Sequence, residues 1–269
     1  MTEKPITDGT GDDLDDGLEY EVDFSSDNEG NVVSDGELST APKPSDDAPK
    51  KRKKNSSFQE KKRMKMELDM KKKKDLSLEE SPVVITEYLN EKIRKSLPDL
   101  SALELAEKYF DKSEIRSTSE FTEERTLENL PKFIETKFKN MLPSKSNKKS
   151  GDSEKKFIAI VSMSAIRACD THRATKDLGG SSLKLINKNK LQVDLKLVGK
   201  TNSRVLCCTP GRLLKVLNSD ELPLTRDQLK IIIVDNSYLD VKQQNIWDIQ
   251  ESTELLKDLT KSGSKLYLY

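Results

Sequence analysis

In the stretch RVLCCTPGRLLKVL, residues 204–217, an apolar run passes directly into a helical pattern through Thr209, Pro210, Gly211 and Arg212. Thr209 stands at an N-cap position, and Pro210 stands at the first helical position, where its missing N–H costs nothing. Gly211 leaves the mouth of the helix uncovered. Unpaired backbone N–H groups and the positive end of the helix dipole then face an anion, and Arg212 adds a planar cation able to make paired hydrogen bonds. The chemistry implied is the holding of a phosphate. The plainer alternative is a capped helix start that binds nothing, since Thr-Pro opens many such helices. At a helix start beside solvent, substitutions of Gly211 or Arg212 should change stability by no more than about 1–2 kcal/mol.

Other reactive side chains carry less. His172 is the single histidine, and without a paired Asp, Ser or Cys pattern it reads as helix surface or half-buried. Trp247 reads as packing its helix against a sheet rather than stacking a base. Cys169, Cys207 and Cys208 make neither a disulfide framework nor a metal site, because neighbouring strand residues point to opposite faces; they suit a reducing compartment. No catalytic set, metal or cofactor is expected.

The elements that must position the Thr209–Arg212 turn lie in the second half of the chain. FIAIVS, VDLKLV, RVLCC, KIIIVD and KLYLY read as short strands. Helices through AIRACDTHRATKDL, PGRLLKVL and NIWDIQESTELLKDL separate them, an alternation that implies an α/β fold with a mostly parallel sheet covered on both faces. Upstream, residues 81–150 read as a helical lead-in. Its segment TLENLPKFIETKFKNML puts Leu127, Leu130, Phe133, Ile134, Phe138 and Met141 on one broad face. The polar run PSKSNKKSGDSEKK then sets a boundary at about residue 155.

Apolar residues are 33% of the 269 and charged residues 35%, so part of the chain is expected to be unfolded. Residues 1–48 hold fifteen Asp and Glu against two Lys, and residues 50–74 hold thirteen Lys and Arg against three acids. We read residues 1–80 as a disordered tail, first acidic and then basic, a design common among proteins that meet nucleic acid. Ser26 and Ser34 precede carboxylates, as an acidophilic kinase requires, or belong to plain solvated acidic sequence. Lys50, Lys51, Arg52, Lys53 and Lys54 follow a proline and are joined by KKRMK and KKKK. Such clusters serve as nuclear import signals, nucleic-acid patches or solvated linker, and three together favour nuclear targeting by an import receptor. With no apolar leader and no run of roughly 20 apolar residues, a soluble, non-secreted protein without membrane contact is expected.

The order and spacing of FIAIVSMSAIRACD, VGKTNSRVLCCTPGR and LKIIIVDNSYLD resemble the first RecA-like domain of DEAD-box RNA helicases, over about residues 155–269. The match is complete at Thr209, Pro210, Gly211 and Arg212. The resemblance implies a single degenerate RecA-like sheet spanning 151–269. It also implies RNA-backbone contact through Thr209, Gly211 and Arg212, with Arg167 at the place of the family's Pro-Thr-Arg-Glu-Leu arginine and Ser164 near its threonine. The proline and glutamate of that motif are absent here.

The departures bear on chemistry. Phosphoryl transfer by this class needs a Gly-rich phosphate loop, a Walker-B Asp and a carboxylate beside it for the attacking water. Asp235 survives as a vestigial Walker-B residue, but Asn236 follows it. Gly199-Lys200-Thr201 lacks the earlier glycine, its place being taken by Asp194, and reads as a turn. With the chain ending at Tyr269, no second RecA-like domain is expected, and hydrolysis is not expected.

With the acidic opening and the basic arm, the chain as a whole resembles the CMS-type family. These are nucleolar proteins similar to DEAD-box helicases and associated with the 90S pre-ribosome, the small-subunit processome. That resemblance implies a non-enzymatic ribosome-biogenesis factor of the nucleus and nucleolus, with pre-rRNA or snoRNA and 90S proteins as partners. The alternative is a nuclear adaptor for proteins, serving chromatin or replication, in which the RecA-like half is an inactive scaffold.

Overall fold

The segments Phe157–Val161, Val205–Cys208 and Leu229–Val234 are almost wholly apolar, with few side chains left for water on either side. Strands of this composition require cover on both faces, the condition met by a parallel sheet between helical layers. The computed structural model describes residues 50–143, 155–221 and 223–269. The acidic tail with Ser26 and Ser34, and the side chains of Lys50, Lys51, Arg52, Lys53 and Lys54, lie outside the described residues.

In chain order the helices are α1 (Lys50–Asp75), α2 (Pro82–Ser96), α3 (Ala102–Lys108), α4 (Leu130–Phe138), α5 (Ala165–Thr175), α6 (Leu191–Lys200), α7 (Pro210–Leu217) and α8 (Gln250–Lys261). The strands are β1 (Ile115–Arg116), β2 (Phe157–Val161), β3 (Ser182–Leu185), β4 (Val205–Cys208), β5 (Leu229–Val234) and β6 (Lys265–Leu268). They form one parallel sheet in the order β1-β6-β5-β2-β4-β3. The expected α/β fold is therefore present.

Alternation along each strand divides the core. Phe157, Ala159 and Val161 join Leu206 and Cys208 on the face packed with residues of α2, α6, α7 and α8, while Ile158, Ile160 and Cys207 meet Phe133 and Ile134 of α4 on the other. Each fully buried Leu, Ile or Phe contributes about 1.5–3 kcal/mol. The nine-residue α4, with Leu130, Phe133, Ile134 and Phe138 buried, is thus held by the sheet rather than by its own propensity.

Four features differ from the sequence expectation. VDLKLV was expected as a short strand, but it lies in α6. The buried set there is Asp194, Leu195 and Val198, at helical spacing, with Val193 and Leu197 exposed. The strand in that region is β3, whose half-buried pattern gave no run to detect. The helical lead-in is not separate from the α/β half, because β1 extends the sheet beside β6 and α4 covers one face.

The fourth difference corrects the reading of residues 1–80 as wholly tail. Lys73 is only 5% exposed. Its ammonium donates to the Gln243 carbonyl at 2.9 Å and pairs with Asp69 at 2.9 Å and Asp248 at 3.0 Å. Its backbone carbonyl accepts the Asn236 amide at 2.7 Å, and Leu76 enters the core. A lysine is buried only where carboxylates and carbonyls replace its water, so the end of the basic arm is built into the fold.

Asp248 ties this junction together, receiving Lys73 from α1, Lys92 from α2 and the Asn245 N–H. Burial alone would raise its carboxyl, yet the hydrogen bonds from Lys92, Asn245 and Lys73 hold it below its ordinary value. A carboxylate depressed in the folded state contributes stability above its unfolded pKa and loses it as pH falls through the folded one. Stability contributed here should hold above about pH 5 and fall below about pH 4. Asp248→Asn should flatten that acid limb in urea melts taken across the pH range; an unchanged limb would show that Asp248 plays no part in it.

Candidate nucleic-acid interface

Because all six strands are parallel, their carboxyl ends share one edge of the sheet. The chain leaves β2 for β3 at one rim and returns to β4, whereas from β5 it turns the other way to β6. Such a reversal opens a crevice between β2 and β5, the usual ligand position in open α/β sheets.

Two sequence candidates meet there. Ser164 caps α5, its hydroxyl accepting the Arg167 N–H at 3.2 Å. The Arg167 guanidinium donates from Nε and Nη2 to the two oxygens of Asp235 at 2.8 and 3.1 Å, and lies 4.7 Å from the Tyr238 ring centre. Burial would lower the guanidinium, but the Asp235 carboxylate outweighs it and holds Arg167 above its ordinary value. The Asp235 carboxylate, 3% exposed, is thereby occupied by protein.

Asn236 is fully buried. Its Nδ2 donates to the Lys73 carbonyl at 2.7 Å and its Oδ1 accepts the Trp247 indole N–H at 2.8 Å. The side chain therefore knits α1 to the loop before α8 and presents nothing to water. Trp247 packs edge-on against Phe110, in line with the packing role expected of it.

The turn after β4 is arranged differently from expectation. Thr209 occupies the N-cap, but its hydroxyl makes no capping bond and is buried without a protein partner. Arg212, expected to reach a phosphate, is 4% exposed and points inward. Its Nε donates to the Ile186 carbonyl at 3.0 Å and lies 3.3 Å from Asp194, its Nη2 donates to the Asn189 carbonyl, and Asn189 in turn bonds Asp194 at 3.0 Å. Burial pushes the Asp194 carboxyl up while Asn189 and Arg212 pull it down. A Cβ on Gly211 would stand 3.6 Å from a Glu251 carboxylate oxygen, so an acid already borders the helix mouth. Arg212 is a structural cation here, because Asp194 in α6 claims it.

An open cleft of about 560 Å³ lies at the same strand ends, lined by residues that include Lys74, Arg125, Glu128, Arg167, Ser237 and Tyr238. Arg125 enters from the loop between β1 and α4. Its Nη2 donates to the Thr118 carbonyl at 2.6 Å, and its guanidinium sits 4.8 Å from the Phe121 ring and 5.6 Å from those of Phe133 and Tyr269. Its Nε and Nη1 have no protein partner. Burial pushes the group below its ordinary value, against a smaller upward pull from Tyr269. Among the described residues no group of three His, Cys, Asp or Glu gathers as a metal site would require.

A family model described as CMS1, U3-containing 90S pre-ribosomal complex subunit, matches residues 37–265. The chain belongs to the CMS1 family. It is 34% identical over 206 residues to Protein CMS1 of Saccharomyces cerevisiae, covering 70% of this chain and 65% of that one. It is 32% identical over 177 residues to Protein CMS1 of Chaetomium thermophilum, covering 63% and 67%. The identity to cms1 of Schizosaccharomyces pombe is 28% over 194 residues, covering 71% and 67%. The aligned part of the chain thus spans about two thirds of these relatives' length. No solved structure matches significantly.

In this CMS1-family chain the matched span holds α1 and the carboxyl ends of β1 to β5, and reaches only the first residue of β6. The structure brings Ser164, Arg167 and Asp235 together, sets Thr209 and Gly211 on a neighbouring turn, and withdraws Arg212 into the interior. Arg125 escaped sequence reading, whereas Lys74 was read only as one of the basic cluster KKKK. Arg125 stands among Glu123, Glu124 and Glu128, where a surface ion pair is the natural inference, and only the placement of β1 turns it toward the aromatic rings.

Proposed function

We propose that this chain acts in ribosome biogenesis as a non-enzymatic subunit of a 90S pre-ribosomal complex, in the nucleus and nucleolus, contacting pre-rRNA or snoRNA through its backbone. The family match over residues 37–265 is the observation that carries this reading. A non-enzymatic role is supported by the arrangement at β5. Asp235 is engaged by Arg167, Asn236 is saturated by Lys73 and Trp247, and Gly199-Lys200-Thr201 closes α6 instead of opening a helix after a strand. Backbone contact is supported by the basic arm, whose Lys61, Lys65, Lys71 and Lys72 are exposed along α1. Lys50 to Lys54 are the segment assigned to an import receptor.

A tagged chain should co-sediment with 90S particles and copurify pre-rRNA or snoRNA, and the purified protein should show no RNA-stimulated ATP turnover. A chain found only at the top of the gradient, or turnover that disappears in Asp235→Ala, would overturn the reading. The inward orientation of Arg212 favours a second reading, a protein-binding adaptor on an inactive scaffold. Co-sedimentation with 90S proteins without any RNA crosslink, in the arm or in the folded part, would move the assignment toward it.

A further inference from the structure

The cleft at the strand ends holds a cation whose charge no carboxylate of the described residues balances. Arg125 is half-buried against three aromatic rings; its Nη2 donates to the Thr118 and Ser77 carbonyls, while its Nε and Nη1 are themselves buried and have no protein acceptor. Two guanidinium nitrogens withdrawn from water without an acceptor are unfavourable unless an anion completes their shell. The exposed Lys74 and the Ser237 hydroxyl border the same cleft, with Glu128 as the lining acid and Arg167 already neutralised by Asp235. The positive charge does not stop at the rim, because Lys71 and Lys72 on the preceding turn of α1 are exposed.

We propose that this cleft seats a backbone phosphate of single-stranded RNA, with Arg125 as the principal contact and Lys74 leading the strand on to the basic arm. The proposal rests on the RNA-contact reading above and locates it at a place other than the Thr209–Arg212 turn. A continuous basic track suits a polymer of phosphates. A magnesium-bound triphosphate is disfavoured, because the Asp235 carboxylate that would hold the metal is taken by Arg167.

The test is fluorescence anisotropy of the full chain with a labelled single-stranded RNA of about 12 nucleotides, over a salt series, alongside thermal melts with magnesium-ATP and with pyrophosphate. Arg125→Gln should weaken RNA binding by about tenfold or more, the loss expected for charge-assisted hydrogen bonds to phosphate. Arg125→Lys should recover part of it. Lys74→Gln, an exposed change that leaves the fold alone, should reduce the salt slope by roughly 0.7. Crosslinked peptides should include Arg125 or Tyr238. If RNA affinity is unchanged in Arg125→Gln and Lys74→Gln but falls when Lys61 and Lys65 are neutralised, the cleft assignment is overturned while RNA contact through the arm stands. If the parent chain binds no RNA yet is stabilised by pyrophosphate or magnesium-ATP through Arg125, the occupant is a free phosphate compound and both readings fail. Should Arg125→Gln not fold, the Lys74→Gln slope and the crosslink map decide.

Discussion

Arg212→Met should lower the unfolding free energy by about 3–5 kcal/mol, because it leaves the Asp194 carboxylate buried without its cation. Asp194 is fully buried and Arg212 only 4% exposed, so neither can recover its interaction by turning to water. The carbonyls of Ile186 and Asn189 also lose their guanidinium donors. Replacing both partners at once, Asp194→Leu with Arg212→Met, should restore most of the loss, since an apolar pair of similar volume removes the desolvation penalty together with the attraction. Urea unfolding of the two single variants and the double variant gives the coupling directly. A single variant within about 1 kcal/mol of the parent would show that the buried pair is not holding α6 to α7. The expected loss exceeds the 1–2 kcal/mol proper to a solvent-facing helix start, and the difference is a consequence of burial.

Deleting residues 50–74 should destabilise the folded part by about 3 kcal/mol or more, whereas deleting residues 50–58 should leave it unchanged. The longer deletion removes Lys73, so Asp248 loses one of its two lysines and the buried Asn236 amide loses its acceptor. An unsatisfied buried donor alone costs about 1–3 kcal/mol. Both deletions should reduce nuclear accumulation, since both remove Lys50 to Lys54. Thermal melts and localisation of the two deletions separate the structural role of the arm from its targeting role. Equal melting temperatures would show that the Lys73 junction contributes nothing and that the arm is a dispensable tail.

Much of the scaffold was legible in the residues themselves. FIAIVS, RVLCC and KIIIVD are apolar runs bounded by turn or helix signals, and a buried parallel strand needs nothing further to be recognised. Thr209-Pro210 set the start of α7 because proline's fixed φ and missing N–H act within one turn. Cys207 and Cys208 face opposite sides of the sheet for the equally local reason that strand side chains alternate.

What sequence could not decide were the pairings between distant segments. Val193–Val198 alternates like a strand and also repeats like a helix, and its helical form buries Asp194 against Arg212, two elements away. Lys73 sits in a run of four lysines indistinguishable by composition, and only the arrival of Asp69, Asp248 and Gln243 around one of them makes it a core residue. The two-residue β1 carries too little pattern to announce itself, yet its pairing with β6 fixes where Arg125 lies. Local backbone preference is set by neighbours a few bonds away, and so it is written in the sequence. Whether a charge ends in water, in an ion pair or at an unfilled cleft is set by the desolvation and Coulomb energies of groups that only the tertiary fold brings together.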